Sequence, residues 1–298
     1  MRAAPLCLLL CFLLASLTGT GLAQQGLEER LEAVETRLDS LIGALLGTRP
    51  VVPVADTLSD TTNLLYGVAG RIGRQLDKGF YFNNYCDDYR TPFWVAYRLD
   101  RTNMDGDAER VGFRQDREIP EEYRSKDDDY RNSGWSRGHL APAETFSRSE
   151  EAIASTFLFS NMSPQNQSCN GGIWSRLERG VRDMVHDRGR AWVVTGNAFL
   201  SETGASMSPR TWIGMDFTSR VAVPTHLYKA ILVQSRDGIL DAWAVLVPNE
   251  KPPTGATVDS FLVSIDDLEL AVECDFFPLL ADSIENPLES RAHDAWPW

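Results

Sequence analysis

The sequence predicts an α+β fold: a mixed, mainly antiparallel sheet core with helices inserted between the strands. Three observations carry that reading. Runs rich in β-branched and aromatic residues, bounded by turn formers, recur at 80–85, 93–99, 156–160, 191–195, 222–233 and 240–247. Stretches at 147–154, 172–187 and 265–272 have helical spacing; in the second, Ile173, Leu177, Val181, Met184 and Val185 mark one face. No second linker and no repeat interrupts the chain after residue 62, so 62–298 reads as one domain.

Composition sets the limits. A chain of 298 residues, 43% hydrophobic and 10% aromatic, can bury a sizeable core. Its net charge of −13 argues against a protein that coats nucleic acid by bulk attraction. An enzyme that needs only a local cationic strip is still compatible with that charge.

Taken in order, the chain opens on Arg2 and an apolar run at 6–17, followed by Gly21-Leu22-Ala23. Residues 1–23 are expected to be a secretory signal peptide cut after Ala23, sending the protein outside the cell or into a periplasm. An uncleaved N-terminal anchor is the alternative; no integral span is expected in the mature chain. Leu27, Leu31, Val34, Leu38, Leu41 and Leu45 then alternate at four and three among charged residues. This heptad seam predicts a short coiled-coil helix over 24–47, joining chains into a dimer or trimer through 27–45. A single amphipathic helix lying on its own domain is the other reading. Gly47 ends that helix, and Pro50 and Pro53 make 48–61 an extended linker. Of the cysteines, Cys7 and Cys11 fall in the leader. Cys86, Cys169 and Cys274 have neither zinc spacing nor a disulfide pattern. Asp127-Asp128-Asp129 reads as a solvated acidic loop, because three consecutive carboxylates do not face one ion in regular structure.

The stretch 135–178 concentrates the chemistry: W-S-R-G-H-L-A-P-A, then T-F-L-F-S-N-M-S-P-Q, then C-N-G-G-I-W-S-R-L-E. Hydrolysis of a phosphodiester needs a proton acceptor for water, positive charge at the phosphate and help for the leaving oxygen. His139 is the natural base, beside Arg137 and a permissive Gly138. Arg137 offers a planar fork to a phosphate. Asn170 presents a hard amide oxygen that suits Mg²⁺, although alone it reads as a helix cap. Glu178 is placed to reach the water around such a metal, or else to pair at i,i+4 with Arg182 on the surface. Arg176, Arg179 and Arg182 extend a cationic stripe along the same helix, as a channel for a polyanion requires.

These residues, in this order, resemble the DNA/RNA non-specific endonucleases of the ββα-metal type, and within them the exo/endonuclease G-like branch. The W-V-A-Y stretch around Tyr97, the Phe113-Arg114-Gln115-Asp116 segment and Val223-Pro224-Thr225-His226-Leu227-Tyr228-Lys229 agree with it. The likeness covers roughly 62–282. It implies a ββα-metal catalytic motif with His139 as general base, Asn170 as direct Mg²⁺ ligand and Glu178 as the carboxylate behind it. Arg137 and Asn161 would support the substrate phosphate and the site. A further phosphate-contacting Arg is either Arg110 or Arg114, and Arg176 and Arg182 are substrate contacts. Ser136 departs from the Asp that most of the family has there. Asn161 and Asn166 both begin N-x-S sequons, and Asn161 is expected to stay unmodified. The function implied is Mg²⁺-dependent hydrolysis of DNA and RNA, with Mn²⁺ as a substitute, leaving 5′-phosphate ends. The alternatives are an exported coiled-coil binding module with a nuclease-like fold, or a phosphodiesterase for small nucleotides.

Overall fold

The computed structural model describes residues 63–71, 73–214 and 220–298. The chain divides into two units, Met1–Thr48 and Arg49–Trp298, and every described residue belongs to the second. The expected signal peptide, coiled coil and linker at 1–23, 24–47 and 48–61 lie outside the described residues. No described helix is long and apolar enough to cross a membrane.

Thirteen strands can be followed through the described residues: β1 (Val68–Gly70), β2 (Arg74–Asp77), β3 (Phe82–Cys86), β4 (Thr91–Asp100), β5 (Ser136–His139), β6 (Met162–Gln165), β7 (Gly189–Ala198), β8 (Thr211–Ile213), β9 (Val221–Val223), β10 (His226–Ser235), β11 (Leu240–Pro248), β12 (Leu262–Val263) and β13 (Cys274–Phe276). The helices that cover the sheet and flank the hairpins are α1 (Glu150–Thr156), α2 (Ser175–Arg188), α3 (Ile265–Val272) and α4 (Asp282–Glu289). Seven strands make one sheet in the order β12-β11-β10-β7-β4-β3-β2. Each ladder among the described residues is antiparallel. The one parallel pairing there is an isolated bridge between Arg114 and Leu158.

The central strands are covered on both faces, which is why they read as near-continuous apolar runs rather than alternating ones. Position parity sorts their side chains into two cores. Val95, Tyr97, Leu99, Val193, Leu227, Ile231, Val233, Trp243 and Val245 face α2, whose Leu177, Val181, Met184 and Val185 pack onto them. Trp94, Ala96, Trp192, Val194, Tyr228, Leu232, Ala242 and Ala244 face the other way. There they meet Ile265, Leu268 and Val272 of α3 and Leu288 of α4.

Two expected strands are corrected. The run 156–160 is no strand: α1 ends at Thr156 and a 3-10 turn occupies Phe159–Asn161. The strand follows at β6, and the aromatic residues that suggested it are buried instead as Phe157 and Phe159. The run 222–233 is two strands, because Pro224 has no N–H for a ladder: β9 pairs with β8, and β10 joins the main sheet. The C-terminal helix α4 has no clear helical pattern in the sequence, since Pro287 sits inside it.

The central packing is the stability determinant. Ile231 is fully buried on β10, whereas Leu270 on α3 is 83% exposed. Ile231→Ala is expected to lose about 3 kcal/mol in denaturant unfolding, from lost transfer energy plus a cavity. Leu270→Ala should change stability by less than about 0.5 kcal/mol.

Candidate active site

The hairpin β5–β6 sets His139 opposite Met162 and Arg137 opposite Pro164. The chain then turns at Asn166, whose side chain accepts the backbone N–H of Ser168 at 2.9 Å and of Cys169 at 3.3 Å. A single turn at Gln167–Cys169 follows, then one π-helical turn at Asn170–Trp174, which runs into α2. Asn166 is therefore the cap, and Asn170 is not. Half-buried in the π turn, Asn170 has a side-chain amide with no hydrogen bond among the described residues. Turns of this kind open the helical ladder and often mark functional sites.

Gly138 is required by space. A Cβ there would lie 2.0 to 2.3 Å from Cδ, Oε1 and Cγ of Gln165. The Arg-Gly-His triplet thus lets the two strands close with Arg137 and His139 on either side of the contact.

The His139 ring sits edge-on to Phe157, with centroids 4.8 Å apart at 78°, and 5.7 Å from Phe113. Its Nε2 is enclosed and has no hydrogen-bond partner. Burial, and then the nearby Arg110 charge, lower its pKa to about 3, so the imidazole is neutral at working pH. Arg137 is held by Asp127 at 2.7 Å and lies over the rings of Phe113 and Tyr130 at 5.7 and 6.0 Å. Its Nε is buried and unbonded. The acidic run 127–129 is accordingly a helical turn, Asp127–Tyr130, rather than a solvated loop. Its Asp127 is kept ionised by Arg131 first and then by Arg137. Asp129 is buried and accepts the Lys126 N–H.

Glu178 does not make the surface pair with Arg182. Arg182 reaches only the Glu178 backbone carbonyl, at 3.4 Å, and its ion pair is with Glu144, also at 3.4 Å. The Glu178 Oε1 is enclosed and unpartnered. Glu144 also pairs with Arg110 at 3.2 Å. The charges Arg110, Glu144 and Arg182 thus form a chain from the neighbourhood of His139 to that of Glu178.

The remaining expected residues fall into three groups. Asn161 is fully buried; its amide donates to the carbonyls of Ala141 and Thr156 and its oxygen accepts the Ala141 N–H, at 2.8 to 3.0 Å. It supports the chain just behind His139 and has no atom free for a phosphate or a glycan. Arg176 is exposed on α2. Arg114 is exposed too, but it lines a shallow depression with Asp116 and Glu118, and its charge acts on Tyr81. Of the two candidate arginines, Arg110 is the one beside the imidazole.

One residue was not singled out in the sequence. Lys229 is fully buried beneath the site, its Nζ 4.5 Å from the Trp174 ring centroid. It donates to Thr195 Oγ1 at 3.1 Å and to Tyr97 Oη at 3.4 Å. Burial raises the Glu178 pKa to about 7, and the Lys229 charge opposes that rise. Burial also lowers Lys229 itself, to about 8. A lone Lys inside the apolar run H-L-Y-K-A-I-L-V was the available signal. Cys86, Cys169 and Cys274 are all free and buried. Burial raises each thiol above its usual pKa, so none is a nucleophile.

A two-stranded hairpin feeding a helix, with an imidazole, an amide and a carboxylate left unpaired beside arginines, has the makings of a phosphodiester-cleaving site. The chain belongs to the DNA/RNA non-specific endonuclease family, whose model matches residues 59–283. It is 40% identical over 234 residues to "Nuclease EXOG, mitochondrial" of Danio rerio, covering 74% of this chain and 67% of that one. The Homo sapiens protein of the same name is 37% identical, over 66% of this chain and 55% of its own length. The solved structure of EndoG in complex with EndoGI superposes with a TM-score of 0.68 at 28% identity, over 75% of this chain and 95% of that one. The family is generally metal-dependent.

Both curated relatives are named mitochondrial, and this overturns the expectation of secretion. The physical basis of the error is composition. A short leader with Arg2 and no carboxylate before Glu28 does not by itself separate one organelle address from another.

Gly138→Ala is expected to abolish detectable cleavage and to lower thermal stability. Combining it with Gln165→Ala, which removes the three clashing atoms, should restore part of both. A melting curve and a plasmid-cleavage assay of the single and double variants check this.

Proposed function

We propose that this endonuclease hydrolyses phosphodiester bonds in DNA and RNA without strong sequence preference, using one Mg²⁺ and His139 as general base, and that it works in mitochondria. The observation that carries the reading is the pair of enclosed, unpartnered atoms, His139 Nε2 and Glu178 Oε1, in the hairpin–helix unit. Native proteins rarely leave such atoms bare unless a ligand or water completes them. The names of the relatives support the location.

The donors fit a hard cation. Asn170 offers a neutral oxygen without a competing hydrogen bond, and Glu178 a carboxylate within the same helical run. So sparse a protein set suits Mg²⁺, which keeps much of its water shell, and Mn²⁺ would substitute. When bound, the ion would supply positive charge to the scissile phosphate and the leaving oxygen.

The chain's own residues do the rest. Arg137, oriented by Asp127 and by the rings beneath it, places the phosphate. Arg110, Arg176 and Arg182 give a local cationic rim to a protein of net charge −13. His139 Nε2 takes the proton from the attacking water as its oxygen bonds to phosphorus. The bond from phosphorus to the 3′ oxygen breaks, that oxygen takes a proton from a neighbouring water, and the products are a 5′-phosphate and a 3′-hydroxyl. The depressed pKa keeps the base unprotonated, and the approaching phosphate charge raises it toward a useful value. The Lys229 charge below Glu178 opposes the rise that burial imposes on its pKa and so favours the ionised form.

His139→Ala is expected to lower plasmid and RNA cleavage by about 10³-fold while the chain still folds and melts cooperatively. EDTA should stop the wild type, and Mg²⁺ should restore it. Cleavage by the His139 variant at the wild-type rate would remove the base assignment. Comparison of long DNA with a dinucleotide separates a nuclease from a phosphodiesterase of small nucleotides.

The pH profile follows from the two shifts. Glu178 must be ionised, so kcat/KM at subsaturating Mg²⁺ should rise with pH to about 7 and then level. His139, neutral above about 3, adds no acidic limb near that range. Lys229→Met removes a cation that lowers the Glu178 pKa, so the limb should move to higher pH while the fold persists.

A further inference from the structure

The sheet face opposite α2 carries a second concentration of carboxylates. Asp266 and Glu269 stand one turn apart on α3, and Glu285 and Glu289 one turn apart on α4. One ligand oxygen from each of Asp266, Glu269 and Glu289 lies within 4.8 Å of the other two. Asp275 on β13 and Asp282 at the start of α4 add to the same field. The charges that push Glu269, Glu285 and Glu289 upward are neighbouring carboxylates. Among the described residues the one donor from outside the acidic set is the Phe276 N–H, which gives its hydrogen bond to Glu269 at 2.6 Å.

Glu289 makes this more than an acidic patch. It is only 8% exposed, its Oε1 is enclosed without a hydrogen-bond partner, and a carboxylate oxygen of its side chain is one of the three converging atoms. Glu285 Oε1 is likewise enclosed and bare. Burial first, and then the neighbouring carboxylates, push Glu289 up to about 9 and Glu269 and Glu285 to about 7. A buried carboxylate facing like charges must either keep a proton or gain a cation.

We propose that Asp266, Glu269 and Glu289 form a structural calcium site that ties α4 to α3, on the far side of the sheet from the candidate active site. The donors are all hard oxygens, which excludes a zinc-type set. Two oxygens on one calcium, bound at about 2.3 to 2.6 Å, lie at most about 5 Å apart, and the three donor oxygens here fall inside that limit, all within 4.8 Å of one another. Magnesium prefers to keep its water, so a set of three protein carboxylates suits calcium better. The exposed side of Asp266 leaves room for water to complete the sphere. The site is independent of the proposed function, because α2 and α3 pack on opposite cores.

The test uses the whole chain carrying Asn170→Ala, which removes the active-site donor and leaves the far site untouched. Melting temperature is read in EDTA, in millimolar CaCl₂ and in millimolar MgCl₂ at pH 8. Calcium is expected to raise it by about 5 °C and magnesium by clearly less. Adding Glu289→Gln or Asp266→Asn should abolish the calcium rise. In the otherwise wild-type chain, the same two substitutions should leave Mg²⁺-supported cleavage unchanged. Should Glu289→Gln fail to fold, Asp266→Asn at the exposed carboxylate carries the test alone. No calcium rise, an equal rise with magnesium, or a rise that survives Asp266→Asn would overturn the proposal. So would a Glu289→Gln chain already as stable in EDTA as its parent in calcium, which would mean that the cluster holds a proton instead.

Discussion

Burial of β7 and β10 on both faces is the constraint on which the rest of this structure depends. With a ten-residue antiparallel ladder between them, each side chain's face is decided by whether its position is odd or even. A slip of one residue would move Ile231 and Val233 to the α3 side and send Leu232 toward α2. The register therefore also decides that Lys229 enters the core under Trp174, below the helix that carries Glu178. A surface lysine by type becomes an internal cation by parity.

The candidate site is built against this rigid floor from pieces that leave their polar atoms incompletely paired. Asn161 is saturated and holds the main chain behind His139, whereas the imidazole, Asn170 and Glu178 are left open. That division of labour is physically coherent. Groups that position backbone need every hydrogen bond made, and groups that meet substrate or metal need some unmade. The same contrast separates Arg137, ordered by Asp127 and two aromatic rings, from Arg176, which stands free in solvent. The local positive rim also explains how an acidic protein can receive a polyanion. Field strength at the cleft depends on charges within about a Debye length and not on the total.

Much of this was legible from residue order. The apolar runs marked the strands 93–99, 191–195 and 240–247 and the helix 265–272, because two-sided burial demands continuous apolar side chains. The local motif Arg-Gly-His, with Asn170 and Glu178 behind it, carried the family resemblance, and the family model matches. The failures were of a different kind. Phe157 and Phe159 have strand character, yet they serve as packing around His139, so propensity misplaced the strand. Asp127 looked solvated because its pairing with Arg137, beside its local pair with Arg131, depends on how the chain folds back between them.

What the sequence alone determined was the periodicity of its main strands and helices, and the linear order of the Arg-Gly-His, Asn and Glu residues that carry the family resemblance. Tertiary structure decided which of those side chains are paired and which are bare. It separated Asn166 as the cap from Asn170 as the open amide. It placed Arg110 rather than Arg114 by the imidazole, put Lys229 under Glu178, and brought the carboxylates of α3 and α4 together. Apart from the local cap at Asn166, each of these outcomes turns on contacts between residues far apart in the chain or on desolvation. Neither can be read from neighbours in sequence, because the field at a charged group is set by what is packed around it in space.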